Sequence, residues 1–354
     1  MHGQLIMRMR CLRPGSRRRC PLLGGDTATF CATLVEGLAH LGSTLEVDHG
    51  GGGHPGSVSM RWCTDAMRLV KRMQREMLAI FRKADVSAAV VSSCNAGAGA
   101  AAGAATGDWF EHYMQETAAL LDFCNVFKAA VSRMHRYCMV VDFAAQVGRA
   151  AGGDAAAAVS LVVESTAAHC TAEPCQAASS AAARDKIADA KAAVTEAERL
   201  GRAIVSGASG DAGAMVIVTL VAKITTSILS MFVLQALTSP ATVDAGCVQP
   251  TIASAVDVPD LEPWCESLSL IHARFPSPAT VAEHEKVATA VRDLIDGKRD
   301  GGGHRDQQEE LLRARSGELR EGVEMFDCVL DEVFDEVIRG RNEMLGILRE
   351  KALT

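Results

Sequence analysis

The stretch that decides the fold is residues 108–146, DWFEHYMQETAALLDFCNVFKAAVSRMHRYCMVVDFAAQ. Its apolar or small residues recur at alternating steps of four and three, at Tyr113, Thr117, Leu120, Cys124, Phe127, Val131, Met134, Cys138, Val141 and Ala145. This spacing places them in one stripe along a single long helix. Asp108 and Glu111 form a capping-box pattern at its start. Because so long a stripe needs a partner of similar length, the stretch predicts helix-on-helix packing.

Two other segments carry stripes of the same period. In the predicted helix over residues 58–84, the stripe consists of Trp62, Ala66, Val70, Met73, Met77 and Ile80. In the last helix, which opens with the capping pair Asp306 and Glu309, it consists of Leu319, Val323, Phe326, Leu330, Val333, Val337, Met344 and Ile347. Residues 181–205 are alanine-rich and helical in character, and Ser277 with Pro278 is typical of the start of a helix over residues 277–296. The sequence therefore predicts an all-α fold, an elongated antiparallel bundle of long helices joined by Gly-rich linkers.

The bundle is expected to occupy residues 58–354 as one domain. Within it we expect an Ala/Gly linker over residues 92–107 and a loop over residues 239–276, which holds several Pro and Asp. Residues 1–57 are interpreted as a basic, disordered leader, with six arginines in its first 20 residues and no acid before Asp26. An organelle transit peptide is the alternative, although serine is scarce there.

Composition narrows the function classes. Aromatic residues make up only 4% of the 354 residues, which suits close-packed helices and leaves little material for a sheet core. A net charge of -7 argues against a nucleic-acid binder. The 12 cysteines form no CxxC pair, so we interpret them as small buried thiols.

No motif points to catalysis. The sequence lacks GxSxG, HExxH and Walker-type phosphate loops, and the glycines at 97, 99 and 103 belong to an alanine-filled linker without a βαβ context. Acids of the last helix are interpreted as a solvated face. We therefore predict no catalytic, cofactor-binding or metal-binding residues, and protein partners instead.

Residues 215–237, MVIVTLVAKITTSILSMFVLQAL, leave two interpretations open. The segment from Met215 to Leu237 has about the length that crosses a bilayer, and a central Lys223 costs a few kcal/mol there. It is equally consistent with a buried central helix of the bundle. A spanning segment would place the chain at the cytoplasmic side of a membrane; a buried one would make it soluble and cytoplasmic.

Several phrases resemble the plant BYPASS-related family. They are LLDFCN at 120–125, VSRMHRY at 131–137, the helix from Ser59, and the closing phrase with Phe334, Val337, Gly340 and Arg341. The Arg-rich leader and the Ala/Gly linker depart from that pattern. The resemblance implies a non-enzymatic plant developmental regulator that restrains a root-derived mobile signal, with a related branch linked to the exocyst.

Three functions are carried forward from these observations. The first is a regulator acting through helix-mediated protein interactions, with packing and interaction candidates Leu120, Leu121, Asp122, Cys124, Asn125, Phe127, Phe326, Leu330, Val333 and Val337. The second is a membrane-associated scaffold of secretion, which would use residues 215–237. The third is an enzyme or ligand carrier with a core polar site formed by Asp122, Asn125 and Lys223. The sequence does not determine the oligomeric state.

Overall fold

The structure is a computed structural model that describes residues 25–50, 56–83, 109–150, 174–205, 211–238, 259–296 and 305–352. Within these ranges the chain forms eight α-helices, which are α1 Gly25–Gly50, α2 Met60–Lys83, α3 Trp109–Ala150, α4 Pro174–Val205, α5 Asp211–Leu237, α6 Glu262–Arg274, α7 Ala282–Asp296 and α8 Arg305–Ala352. A short 3₁₀ turn, Pro259–Leu261, leads into α6. The predicted all-α helical bundle is confirmed.

The stripe of α3 faces the core along its whole length. All ten of its members, from Tyr113 to Ala145, are buried. The helix begins at Trp109 and runs through Gly148 to Ala150, slightly beyond the predicted end. Asp108, the expected cap, lies outside the described residues. Spacing alone therefore identified the buried face of this helix, because residues three and four apart share one side.

Four helices, α2, α3, α5 and α8, form the central bundle. α8 packs against α2 and α3, and α5 packs against the same two helices from the other side. Aromatic side chains of α2 and α3 meet where α2 ends and α3 begins, with the rings of Phe81 and Trp109 4.6 Å apart. The predicted partners of α3, the helices that begin near Ser59 and include Glu318, are thus its neighbours in the core.

α2 and α8 run parallel to each other. Three ion pairs join them, Lys71 to Glu332, Arg75 to Glu336 and Arg82 to Glu343, and in each pair the two residue numbers differ by 261. A constant difference is the mark of parallel helices. α3 and α8 are antiparallel, because Arg341 near the end of α8 bonds Thr117 near the start of α3, while Ser316 bonds Asp142. The bundle therefore mixes parallel and antiparallel neighbours.

The remaining helices cover the outside of this core. α4 packs on α5 and α3, α1 packs on α2 and α6, and α7 packs on α8. A two-residue parallel ladder pairs β1, Ser57–Val58, with β2, Thr280–Val281. Beside it, a carboxylate oxygen of Glu283 accepts a hydrogen bond of 3.0 Å from the Met60 backbone N–H. Since Met60 opens α2, Glu283 supplies an acceptor that the helix itself lacks there.

Two predicted irregular regions are partly helical. Residues 25–50, assigned above to a disordered leader, form α1, whose core side chains are Phe30, Leu34, Leu38, Leu41 and Leu45. The predicted loop over 239–276 ends in α6, which buries Trp264, Leu268 and Ile271. Both predictions were wrong for the same reason. The apolar residues of α1 and α6 have helical spacing, but the nearby Gly, Pro and Asp residues were taken to indicate irregular structure. Pro263 lies in the first turn of α6, where the missing N–H has no cost.

One helix start was also misplaced. Ser277 and Pro278 do not begin a helix; they precede β2, and α7 starts at Ala282. The ladder with β1 holds this segment extended, so the tertiary contact overrides the local preference. The linker over 92–107 and residues 1–24 lie outside the described residues.

Candidate functional site

A buried carboxylate lies at the centre of the four-helix core. Glu116 of α3 is 3% exposed and faces Gln74 of α2, which is also buried. The Gln74 Nε2 amide donates a hydrogen bond of 2.7 Å to Glu116 Oε1. α2 and α3 lie diagonally across the bundle, and both pack against α5 and α8. The hydrogen bond between Gln74 and Glu116 therefore crosses the interior of the bundle.

α5 contributes three polar side chains to the same region. Lys223, Thr226 and Ser230 follow each other at steps of three and four, so they share one face of the helix. Thr226 and Ser230 are buried, whereas Lys223 is half-buried. Within the described part of the chain, Glu116 Oε2, Thr226 Oγ1 and Ser230 Oγ make no hydrogen bond. Three unbonded oxygens in one core are unusual for a folded protein.

The surroundings of Glu116 favour its neutral form. Burial raises the pKa of the carboxyl from its ordinary value of 4.5 to about 7, although the Thr226 hydroxyl, the Gln74 amide and the Lys223 charge each lower it. Desolvation has the largest effect. Taking the carboxylate out of water costs more free energy than the Thr226 hydroxyl, the Gln74 amide and the Lys223 charge together restore. Among the described residues, Glu116 has no ion-pair partner. The group is therefore set to exchange a proton near neutral pH.

The α8 side of this region is also polar. Arg341 Nη1 donates hydrogen bonds of 2.6 Å to the Met114 carbonyl and 2.7 Å to Thr117 Oγ1. Next to it, a Cβ placed on Gly340 would lie 2.8 Å from the Tyr113 hydroxyl. Burial raises the pKa of Tyr113, and the nearby Glu116 raises it further. Tyr113 is therefore a neutral phenol beside Glu116.

This arrangement lacks the parts of an ordinary active site. In the described ranges, no group of three or more His, Cys, Asp or Glu is placed to hold a metal ion. The cluster contains a carboxyl, an amide and hydroxyls, and it is enclosed by core side chains. What it can do chemically is bind or release one proton.

The predicted core polar site is not formed. Asp122 and Asn125 are both exposed on the outer face of α3, and Asp122 bonds Lys186 of α4 at 2.9 Å. Lys223 is on the Glu116 side of α5 instead. The interpretation of Asp122 and Asn125 as residues that set core packing was wrong, because they lie just off the stripe rather than on it.

The other candidates lie where their spacing placed them. Those that are buried in the core are Leu120, Cys124, Phe127, Phe326, Leu330, Val333 and Val337, while Leu121 is partly buried. Met215 and Leu237 are buried too. These residues stabilise the bundle, and their burial removes them from any surface that a partner can reach.

Sequence reasoning missed Glu116, although a signal was present. Tyr113, Glu116, Leu120, Phe123 and Phe127 are spaced three and four apart, and all five are buried. A carboxylate within a stripe of this kind is a candidate core acid. The signal was overlooked because the overlapping stripe through Thr117 and Cys124 contains no charged residue.

One apolar feature of the described surface lies on α8 beside α3, and on α3 itself Met139 and Phe143 are exposed by 68% and 57%. Phe334, Ile338 and Leu345 are 39%, 37% and 45% exposed. They are three or four residues from Asp331 and Arg341, whose side chains contact α3, so they lie along the same edge of α8. We call these three residues the α8 apolar strip.

Among the described helices, one is long and apolar enough to cross a membrane, judged by length and composition alone. It covers Ala214–Leu237, with a mean hydropathy of 2.0 over an 18-residue window, 94% of which is buried inside the fold. The core helix of a soluble protein passes the same test, so the result is weak support for a membrane span.

Comparisons with known proteins add no relative. No family model, no curated protein and no solved structure matches this chain.

Proposed function

We propose that this chain is a non-enzymatic regulator that acts by binding protein partners through its helices. The observation that carries the proposal is the α8 apolar strip. Phe334, Ile338 and Leu345 leave large apolar side chains partly in water along one edge of α8, next to its buried face. Apolar groups grouped in this way are typical of surfaces that bind a partner helix.

The resemblance to the plant BYPASS-related family supports a more specific form of the proposal. It implies a developmental role, in which the protein restrains production of a root-derived mobile signal. Gly340 and Arg341, which belong to the resembling phrase, both contact α3. The phrase thus coincides with the helix edge that carries the strip.

The test compares two variants of α8 in a pull-down from plant tissue. The double variant Phe334→Asp/Ile338→Asp places two charges on the strip. Met325→Asp is the matched control: Met325 is 42% exposed, and it lies seven residues before Glu332, hence on the α2 side of the helix. We expect the double variant to lose captured partners that the control retains.

Folding must be separated from binding in this test. All three substituted positions are exposed, so we expect both variants to keep the wild-type melting temperature to within a few degrees. Phe326→Asp is unsuitable, because Phe326 is fully buried and a charge there would unfold the bundle. Capture of the same proteins by the double variant and by the control would contradict the proposal.

A further inference from the structure

The polar cluster in the core is not explained by partner binding at the surface. Glu116 is buried, it faces Gln74 of α2 and Thr226 of α5, and its Oε1 is bonded to Gln74. An ionised carboxylate in this position can receive a hydrogen bond from the Thr226 hydroxyl, but among the described residues it has no ion-pair partner. A protonated carboxyl would instead carry a hydrogen on Oε2, which can be donated to the neighbouring Thr226 hydroxyl, because Thr226 Oγ1 is itself unbonded.

The charged groups that face Glu116 are few. From α5 comes Lys223, which is half-buried and not in an ion pair with it. From α8, the charges of Arg341, Arg339 and Glu343 act on Tyr113, one turn before Glu116. α2 contributes the neutral Gln74. On the outer face of α3, the exposed Asp122 pairs with the half-buried Lys186 of α4.

The partners of the α8 charges hold them away from the core. Arg339 pairs with Glu336, Glu343 pairs with Arg82, and Arg341 is bonded to Thr117 and to the Met114 carbonyl. Of all these charges, that of Lys223 is the one that lowers the pKa of Glu116, and burial raises that pKa by more.

We infer that Glu116 is a proton-binding site at the centre of the bundle, and that loss of its proton weakens the packing of α2, α3 and α5 against each other. The inference holds whether or not the α8 apolar strip binds a partner. It gives the fold a dependence on pH that surface carboxylates, which ionise without leaving water, do not give.

The direction of the effect follows from proton binding in the two states. Between pH 4.5 and about 7 the folded chain holds a proton on Glu116 that the unfolded chain has released. Raising the pH through this window therefore favours unfolding, by about tenfold in the unfolding constant for each pH unit. Below the window both states hold the proton, and above it both have lost it, so the contribution of Glu116 becomes constant.

The experiment measures unfolding of the full chain by urea at a series of pH values from about 4.5 to 8.5. In Glu116→Gln the side chain keeps its shape and its acceptor oxygen for Gln74, but it never ionises. We expect the unfolding constant of the wild type to rise by a few hundredfold relative to that of Glu116→Gln across the window. Equal pH dependence in the two proteins would overturn the inference.

Glu336→Gln is the matched control. Glu336 is also buried, but it has two arginine partners, Arg75 and Arg339. We expect this variant to keep the wild-type dependence on pH across the window. If it abolishes the dependence as Glu116→Gln does, the effect belongs to buried charge in general and the assignment to Glu116 fails.

A second measurement does not depend on the stability of a variant. Infrared spectra of the native wild type should contain the carbonyl band of a buried protonated carboxyl at about pH 5.5, and this band should disappear with a midpoint near the pKa of about 7. Absence of the band at about pH 5.5 would also overturn the inference.

Discussion

Gly340 lies against the side chain of Tyr113, where α8 packs on α3. The Cβ of any other residue would lie 2.8 Å from the Tyr113 hydroxyl and 3.5 Å from Leu78 Cδ2. Tyr113 has little freedom to move aside, because it is 2% exposed and stands edge-on to Phe81 with ring centroids 5.6 Å apart. The small residue at this position is thus required by packing between three helices.

Gly340→Ala is therefore predicted to destabilise the fold relative to Gly346→Ala. Both changes remove a glycine from the same helix and gain similar helix propensity. Nothing lies within 4 Å of the added Cβ at 346, so only the first change creates a clash. We expect a difference of about 1–3 kcal/mol in the free energy of unfolding, measured by urea denaturation. Equal stability would mean that Tyr113 is not held against α8.

At the scale of elements, the buried face of each long helix was predictable and its ends were less so. The stripes of α2, α3 and α8 follow from spacing, because residues three and four apart must share a side. α1 and α6 were missed, although Leu34, Leu38 and Leu41 have the same spacing, because glycine and proline nearby favoured a loop. Tertiary contacts that no local signal records placed β2 where a helix start was expected.

The core site was less predictable than the helices. Thr226, Ser230 and Lys223 stood out in an apolar segment, but their partner Glu116 is more than 100 residues away in the sequence. Spacing gives the side of α3 on which Glu116 lies, and it does not say which helix covers that side. Asp122 was named as a core polar residue although it is exposed, and Glu116 was overlooked because the stripe through Thr117 and Cys124 passes beside it.

The role of α5 yields a prediction at the same scale. Its apolar surface is covered by α2, α3 and α4, and 94% of its most apolar window is buried. We therefore propose that α5 is a core helix, and expect the full chain to leave the membrane fraction when that fraction is washed at alkaline pH. An integral membrane protein and a peripheral one in the same sample serve as controls. Retention with the integral marker would contradict the proposal and favour a spanning α5.

For the molecule as a whole, the arrangement of the four core helices had to come from the structure. A buried stripe needs a partner helix, but its 3.6-residue period is the same whether that partner is parallel or antiparallel. The three ion pairs between α2 and α8 show a parallel pair, where antiparallel neighbours were expected. Each pair is partly exposed and contributes little to stability, so the ion pairs report the direction of the helices without determining it.

The cysteines provide a test of this packing across the whole molecule. Cys31, Cys63, Cys124, Cys138 and Cys265 are buried on α1, α2, α3 and α6, whereas Cys328 on α8 is exposed. Burial raises the pKa of Cys31 and Cys138 to about 11 and that of Cys124 to about 12, so these thiols are also poor nucleophiles.

The native chain is treated briefly with a maleimide at about pH 7.5, and its peptides are analysed by mass spectrometry. We expect Cys328 to be modified well before the five buried cysteines. The same treatment in urea should modify all six, which shows that sequence context does not limit the reaction. Early modification of Cys124 in the native chain would show that the stripe of α3 is open to solvent. Early modification of Cys31 alone would show that α1 does not stay packed on α2 and α6 in the native chain.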